Sequence, residues 1–294
     1  MSVPPNGLGE LAPLVPVRSG GVSLAVRRLG EGAEEAPGLV ALHGGPGLDH
    51  HTLLTLGLAL AANRPVWLPD LPGHGASTAP GAKLPGLRAL EDRLERWLAA
   101  LPGGGAPVLL GHSLGAWLVR ELLRRRRIEI RAAILLAPPA AGQRRAETSL
   151  RRAVGVMARA SAPGAAGSGG GEHRARRELR AHVEVETRDR ASEPFLESIH
   201  RARLRDPRLY GSLLRSLHRG LTGPVRPFDP GCPILVLCGE EDRTTPPEQA
   251  ARVAASLTGA RLVHLPGAGH YPFAEALEAT VQRIEEFLSS LPAS

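Results

Sequence analysis

Cysteine is nearly missing from this 294-residue chain, with Cys232 and Cys238 the only two. They flank and lie in one strand-like run, too far apart along an extended chain to bridge, so a disulfide framework is excluded. Aromatic residues are scarce as well, three Trp, two Tyr and four Phe. That leaves little for base stacking, no nucleic-acid-binding module is visible, and nucleic acid is not an expected partner. Lysine is almost absent, Lys83 being the single one, so the formal net charge of +7 is carried by arginine. No apolar run reaches the roughly 20 residues of a membrane span. The first residues, with Pro4, Pro5, Asn6 and Glu10, have neither the cationic start nor the continuous apolar stretch of a secretory signal. Together these absences predict a chain without a membrane span, working in a reducing, cytoplasmic compartment.

What is present is apolar residue in quantity, 43% of the chain, enough for a large core with room for an insertion. Short apolar runs bounded by Gly or Pro predict strands at 22–28, 38–42, 65–68, 108–111, 132–137, 234–239 and 261–265, as expected of a sheet buried on both faces. Helical periodicity predicts helices at 51–62, 87–101, 114–127, 247–257 and 273–288, with Pro246 and Pro247 at one start and Arg124 to Arg127 at one end. Alternation of the two predicts an α/β fold, a mostly parallel, doubly wound sheet.

Gly111-His112-Ser113-Leu114-Gly115 lies between the apolar run from Pro107 to Leu110 and a Leu-rich helical pattern. A serine there sits on a sharp strand-to-helix turn. Glycines two residues to either side remove the Cβ atoms that would block such a turn, and the following helix aims its free N–H groups at any anion formed there. The pentapeptide alone is weak in a chain with 35 glycines, so context decides. His43-Gly44-Gly45-Pro46-Gly47 ends an earlier strand, Asp242 follows the strand from Ile234, and His270 follows the strand from Arg261. Serine, aspartate and histidine in that order, each just past a strand, are the parts of a nucleophile, its base and the base's orienting acid.

In these features the chain resembles the α/β-hydrolase superfamily over residues 14 to 290. The block His43 to His50 is similar to the proline iminopeptidase-like branch, and Asp70-Leu71-Pro72-Gly73-His74-Gly75 resembles a structural turn of the superfamily. The resemblance implies a helical cap inserted after the sixth strand, dividing the chain into core (1–141), cap (142–223) and core (224–294). It implies Ser113 as nucleophile, His270 as base, Asp242 as acid, and the N–H groups of Gly45 and Leu114 as an oxyanion hole. His43, Gly44, Gly111 and Gly115 would support that site. Glu240 or Glu241 compete with Asp242 for the acid role. His264, inside a strand, is a poorer base than His270, and His74 and His112 are expected to make local hydrogen bonds.

Related epoxide hydrolases and haloalkane dehalogenases carry a carboxylate at the elbow, so Ser113 favours acyl transfer. The expected activity is hydrolysis of a small-molecule carboxylic ester, thioester or lactone, with no cofactor. The alternatives are a proline iminopeptidase-type aminopeptidase and a ligand-binding protein on a hydrolase fold. Such peptidases usually read Gly-Gly-Ser-Trp-Gly at the elbow and bind the substrate amine with cap carboxylates, for which Glu184, Glu186, Glu193 and Glu197 are candidates. His50 and His51, adjacent and therefore divergent on a helix, have no carboxylate at ligand spacing, and no metal is expected. Residues 144–219 hold 17 arginines against 9 acidic residues, so the whole positive excess sits there. An acidic acyl carrier or a coenzyme A thioester could be drawn by that field, or the arginines are a solvated face.

Overall fold

In the computed structural model, the described residues are 13–33, 37–77, 86–103, 105–140, 183, 187, 190–202 and 225–292. Most of the predicted cap, including the Gly-rich run from Pro163, lies outside them. Eight strands form one sheet: β1 (Leu14–Ser19), β2 (Val22–Leu29), β3 (Leu39–Leu42), β4 (Val66–Pro69), β5 (Val108–His112), β6 (Ala132–Leu136), β7 (Ile234–Gly239) and β8 (Arg261–Leu265). Their spatial order is β1-β2-β4-β3-β5-β6-β7-β8. β1 with β2 and β2 with β4 are antiparallel, and every later pairing is parallel.

The helices are α1 (Leu54–Leu60), entered through a 3₁₀ turn at His50–Leu53, α2 (Leu87–Ala99), α3 (Leu114–Arg125), α4 (Glu193–Arg201), α5 (Pro247–Ala255), α6 (Pro272–Glu275) and α7 (Leu277–Ser289). One buried cluster joins α2, α3 and α5 to one face of the sheet; a second joins α1, α4, α6 and α7 to the other. The central strands are therefore covered on both faces, which is why β3, β5, β6 and β7 are buried at every position and read as unbroken apolar runs. Chain direction across the sheet reverses at β3, which lies between β4 and β5. Ligands of open α/β sheets bind beyond the carboxyl ends of the strands at such a point, and Gly45, Ser113, Asp242 and His270 each follow the carboxyl end of a strand.

Three sequence expectations needed correction. β1 was not anticipated: its alternation is interrupted by Pro16, tolerable on an edge strand, while Gly20 and Gly21, both at positive φ, turn it into β2. The helix expected at 273–288 is two helices, broken at Ala276, where the Thr280 hydroxyl reaches the carbonyls of Pro272 (3.0 Å) and Ala276 (2.8 Å). The helix expected to reach 127 stops at Arg125, because Arg126 turns left-handed with φ 51°.

Candidate active site

Ser113 links β5 to α3 with φ 51° and ψ −111°, a backbone conformation costly for any residue with a Cβ. The neighbouring glycines are what permit it. A Cβ on Gly115 would lie 2.1 Å from the Leu42 carbonyl oxygen, and one on Gly111 would lie 2.4 Å from the Gly115 backbone. The turn is pinned by the Ser113 N–H donating to the Leu136 carbonyl at 2.9 Å, and Trp117 N–H donates to the Ser113 carbonyl at 3.0 Å as α3 begins. Ser113 is partly exposed between buried His112 and buried Leu114.

The loop after β3 approaches the same spot. A Cβ on Gly45 would lie 3.8 Å from Leu114 Cδ2, and one on Gly44 2.8 Å from His112 Nδ1. His43 holds this loop with both ring nitrogens: Nδ1 donates to the Gly44 carbonyl (2.7 Å), and Nε2 accepts from Leu71 N–H (3.0 Å). Burial lowers its pKa, against the opposing pull of Asp70 and the Gly44 carbonyl, keeping the ring in that neutral tautomer. Gly45 is the partly exposed residue of this buried loop, as Ser113 is of the elbow.

Asp242, three residues beyond β7, meets His270, five beyond β8. His270 Nδ1 donates to Asp242 Oδ2 at 2.9 Å, which leaves Nε2 with the lone pair a base needs. The carboxylate is otherwise saturated: Oδ1 accepts from the N–H groups of Thr244 (2.8 Å) and Thr245 (2.7 Å), and the Thr245 hydroxyl lies 2.8 Å from Oδ2. Burial alone would push the Asp242 carboxyl up, but the charge and hydrogen bond of His270 and the Thr245 bonds outweigh it and hold its pKa below the ordinary value. The pair is tied to the elbow through His112, whose Nε2 donates to the His270 carbonyl at 2.9 Å with ring centroids 4.9 Å apart. Burial, aided by the neighbouring His270, pushes His112 down to about 3, so it stays a neutral donor.

The competing carboxylates stand elsewhere. Glu240 is exposed, and Glu241 pairs with Arg190 at 3.0 Å. His264 Nδ1 lies 3.6 Å from Cys238 Sγ across β7 and β8. Of the cap glutamates, Glu193 is exposed and Glu197 pairs with Arg201 at 2.5 Å on the surface; Glu184 and Glu186 lie outside the described residues.

These features fit one family of folds, and the sequence profile of that family matches residues 39–283. The chain belongs to the alpha/beta hydrolase family. An esterase from Thermogutta terrifontis is 22% identical and superposes with a TM-score of 0.64 over 96% of this chain and 100% of its own. The esterase RhEst1 from Rhodococcus sp. ECU1013 is 23% identical, TM-score 0.67, over 94% of this chain and 98% of its own. The 2-hydroxy-6-oxo-6-phenylhexa-2,4-dienoate hydrolase of Rhodococcus sp. strain RHA1 is 18% identical, TM-score 0.71, over 95% and 99%. No curated protein sequence matches the chain. This hydrolase has no helix among the described residues long and apolar enough to cross a membrane.

Elsewhere in the hydrolase, the expected divergence of His50 and His51 is overturned: their rings lie 4.1 Å apart at 33°. Two aspartates fold them together. His50 Nδ1 donates to Asp70 Oδ1 at 2.7 Å and His51 Nδ1 to Asp49 Oδ1 at 3.0 Å, so carboxylates are at hand after all. Asp49, His50 and His51 bring ligand-type atoms within 4.8 Å of one another. A cation fits them poorly, because both Nδ1 atoms already donate and Arg27 Nη2 stands 3.4 Å from His50 Nε2. Sequence reasoning missed Thr245 and Glu275. An Asp-x-Thr-Thr stretch is an Asx-turn signal that points to Thr245, and a glutamate five residues after His270, in the first turn of a helix, was the signal for the other.

Proposed function

We propose that this protein is a serine hydrolase that cleaves small-molecule carboxylic esters, thioesters or lactones through an acyl-enzyme. The observation carrying the proposal is the buried Asp242–His270 pair, held through His112 against a strained, partly exposed serine. In this reading Ser113 Oγ attacks the substrate carbonyl while His270 Nε2 takes its proton, and Asp242 keeps the imidazole in the required tautomer and stabilises its charged form. The N–H groups of Gly45 and Leu114, the latter at the free end of α3, receive the oxyanion, each worth about 3 kcal/mol in such sites. The proton returns to the leaving alcohol, thiol or enol. Water then repeats the sequence on the acyl-enzyme and releases the acid.

We read 1–141 and 224–294 as the two parts of the core and 142–223 as an inserted cap that shapes the pocket. Recruitment of an acyl carrier or coenzyme A thioester by the arginines of 144–219 is part of the same proposal. The aminopeptidase reading would need carboxylates facing Ser113, and the described cap glutamates offer none that does. A fluorophosphonate probe tests the chemistry: it should label the wild type and leave Ser113→Ala unlabelled. Assayed alongside it, p-nitrophenyl esters and acyl-coenzyme A should turn over while proline p-nitroanilide does not. Labelling at another residue, or turnover of the anilide alone, overturns the reading.

A further inference from the structure

Glu275 is a side chain with no exposed surface, and its carboxylate brackets His270. Oε2 accepts from the N–H of Gly269 at 2.9 Å and Oε1 from the N–H of Tyr271 at 3.2 Å, one residue to either side of the histidine. The same carboxylate lies 3.5 Å from Arg190 Nη2, which stands 3.0 Å from Glu241 Oε2. Arg190 therefore touches both the loop that carries Asp242 and the loop that carries His270. It comes from the chain between β6 and β7, and that chain is anchored beside the base loop by the Ser192 N–H donating to the Ala274 carbonyl at 3.0 Å.

We propose that Glu275 is a positioning residue that fixes the His270 loop from both sides, and that Arg190 couples this brace to the Asp242 loop through Glu241. The proposal rests on the hydrolase reading above. A carboxylate that accepts two backbone N–H groups leaves the intervening residue little freedom, which is what a base needs to keep its Nε2 aimed at one hydroxyl. In its ionised form the carboxylate also favours the imidazolium formed during attack. The position is poised: burial pushes the Glu275 carboxyl up to about 7, opposed by the bonds from Gly269 and Tyr271 and by Arg190 and His270. Arg190 and His270 are the charged groups facing it, from the cap side and the loop side respectively.

The alternative is that Glu275 merely stabilises the fold, and three measurements separate the two. With a neutral p-nitrophenyl ester, Glu275→Gln should lower kcat on the order of 10- to 100-fold with KM within about twofold. Histidine NMR in the Ser113→Ala background should show the His270 titration midpoint changed by Glu275→Gln, since a buried carboxyl that itself titrates at about 7 no longer shares that range with the ring. Arg190→Met should lower kcat by a smaller factor and Arg190→Lys should recover most of it, while Glu278→Gln, exposed three residues on, changes nothing. An unchanged kcat and an unchanged His270 midpoint in Glu275→Gln overturn the proposal, whatever the melting temperature does. Should Glu275→Gln not fold, Arg190→Met decides alone, and wild-type kcat there counts against the coupling. Hydrolysis surviving in Ser113→Ala would instead sink the serine hydrolase reading, and the NMR midpoint would still judge Glu275.

Discussion

Of the three buried histidine–aspartate pairs among the described residues, His50–Asp70 and His270–Asp242 are nearly alike as pairs. His50 donates to Asp70 at 2.7 Å and His270 to Asp242 at 2.9 Å. In both, burial pushes the carboxyl up and the partner histidine, with Thr245 at Asp242 and His43 at Asp70, more than offsets it, so both acids lie below the ordinary value. The surroundings differ. Both acids accept two backbone N–H groups, Asp242 those of Thr244 and Thr245 and Asp70 those of His50 (3.0 Å) and Ala76 (2.7 Å), but Asp70 does so in a turn so close that a Cβ on Gly75 would lie 2.2 Å from its Oδ2. His50 Nε2 looks at Arg27, whereas the loop of His270 packs against the elbow that carries a partly exposed serine. A His–Asp pair is therefore not itself a sign of catalysis; what its second nitrogen can reach makes the difference.

The sharpest way to break this comparison is to make the same change in both pairs. Asp242→Asn should keep the melting temperature within a few degrees and lower kcat by about 10⁴, as loss of the orienting acid does in serine hydrolases. Asp70→Asn should do the reverse, lowering stability by about 1–3 kcal/mol while the folded fraction keeps most of its activity. Loss of activity at full stability in Asp70→Asn would show that the first pair also serves the chemistry. Glu240→Gln and Glu241→Gln should cost a few-fold at most. A dead Glu240→Gln or Glu241→Gln enzyme would unseat Asp242 as the acid.

Next in size is the elbow. Gly115→Ala places a methyl carbon against backbone that cannot move aside, so labelling of Ser113 by a fluorophosphonate should be lost, with about 1–3 kcal/mol of stability. Retention of full labelling would mean the close packing of α3 on β3 is not needed to present the serine.

pH sharpens the comparison in another way. Because His270 must be neutral to act as base, kcat/KM should fall as pH drops through the titration of that ring. Stability should fall over a wider range for a different reason. Burial, helped by neighbouring histidines, pushes His74 and His112 down to about 3 from an ordinary 6.5. Both are neutral in folded and unfolded chains above pH 6.5; below it the unfolded chain takes up protons that the folded one refuses. Stability should therefore be full above 6.5 and decline towards pH 3, by about 1.4 kcal/mol per pH unit for each ring. Melting curves from pH 7 to 4 check this, and His74→Gln should reduce the slope. A flat profile would mean that these rings are protonated in the native state.

The smallest effect concerns the arginines of 144–219. If they recruit anions, kcat/KM for an acyl-coenzyme A should fall as salt rises, since the field reaches only about 10 Å at 0.1 M, while that for a neutral ester stays flat. Flat profiles for both would make them a solvated face.

Much of this was legible because it depends on local pattern. Buried strands announce themselves as apolar runs, and β7 and β8 occupy the predicted residues. Gly111 and Gly115 marked the elbow because only glycine allows the backbone contacts found there. The illegible parts depend on distant chain. Adjacent histidines were expected to diverge, yet Asp70, twenty residues from His50, turns one of them. Arg190 meets Glu241 across 51 positions, and His112 meets His270 across 158.

By itself, then, the sequence determined the strand and helix alternation, the glycine-flanked turn at Ser113 and the order of serine, aspartate and histidine, because each follows from burial and sterics within a few residues. Only the tertiary structure decided which of Glu240, Glu241 and Asp242 meets His270, which histidine pair is sealed into a turn, and that Glu275 braces the base. Those outcomes turn on distances of 2.7 to 3.5 Å between loops that the sheet alone brings together, and no spacing along the chain encodes them.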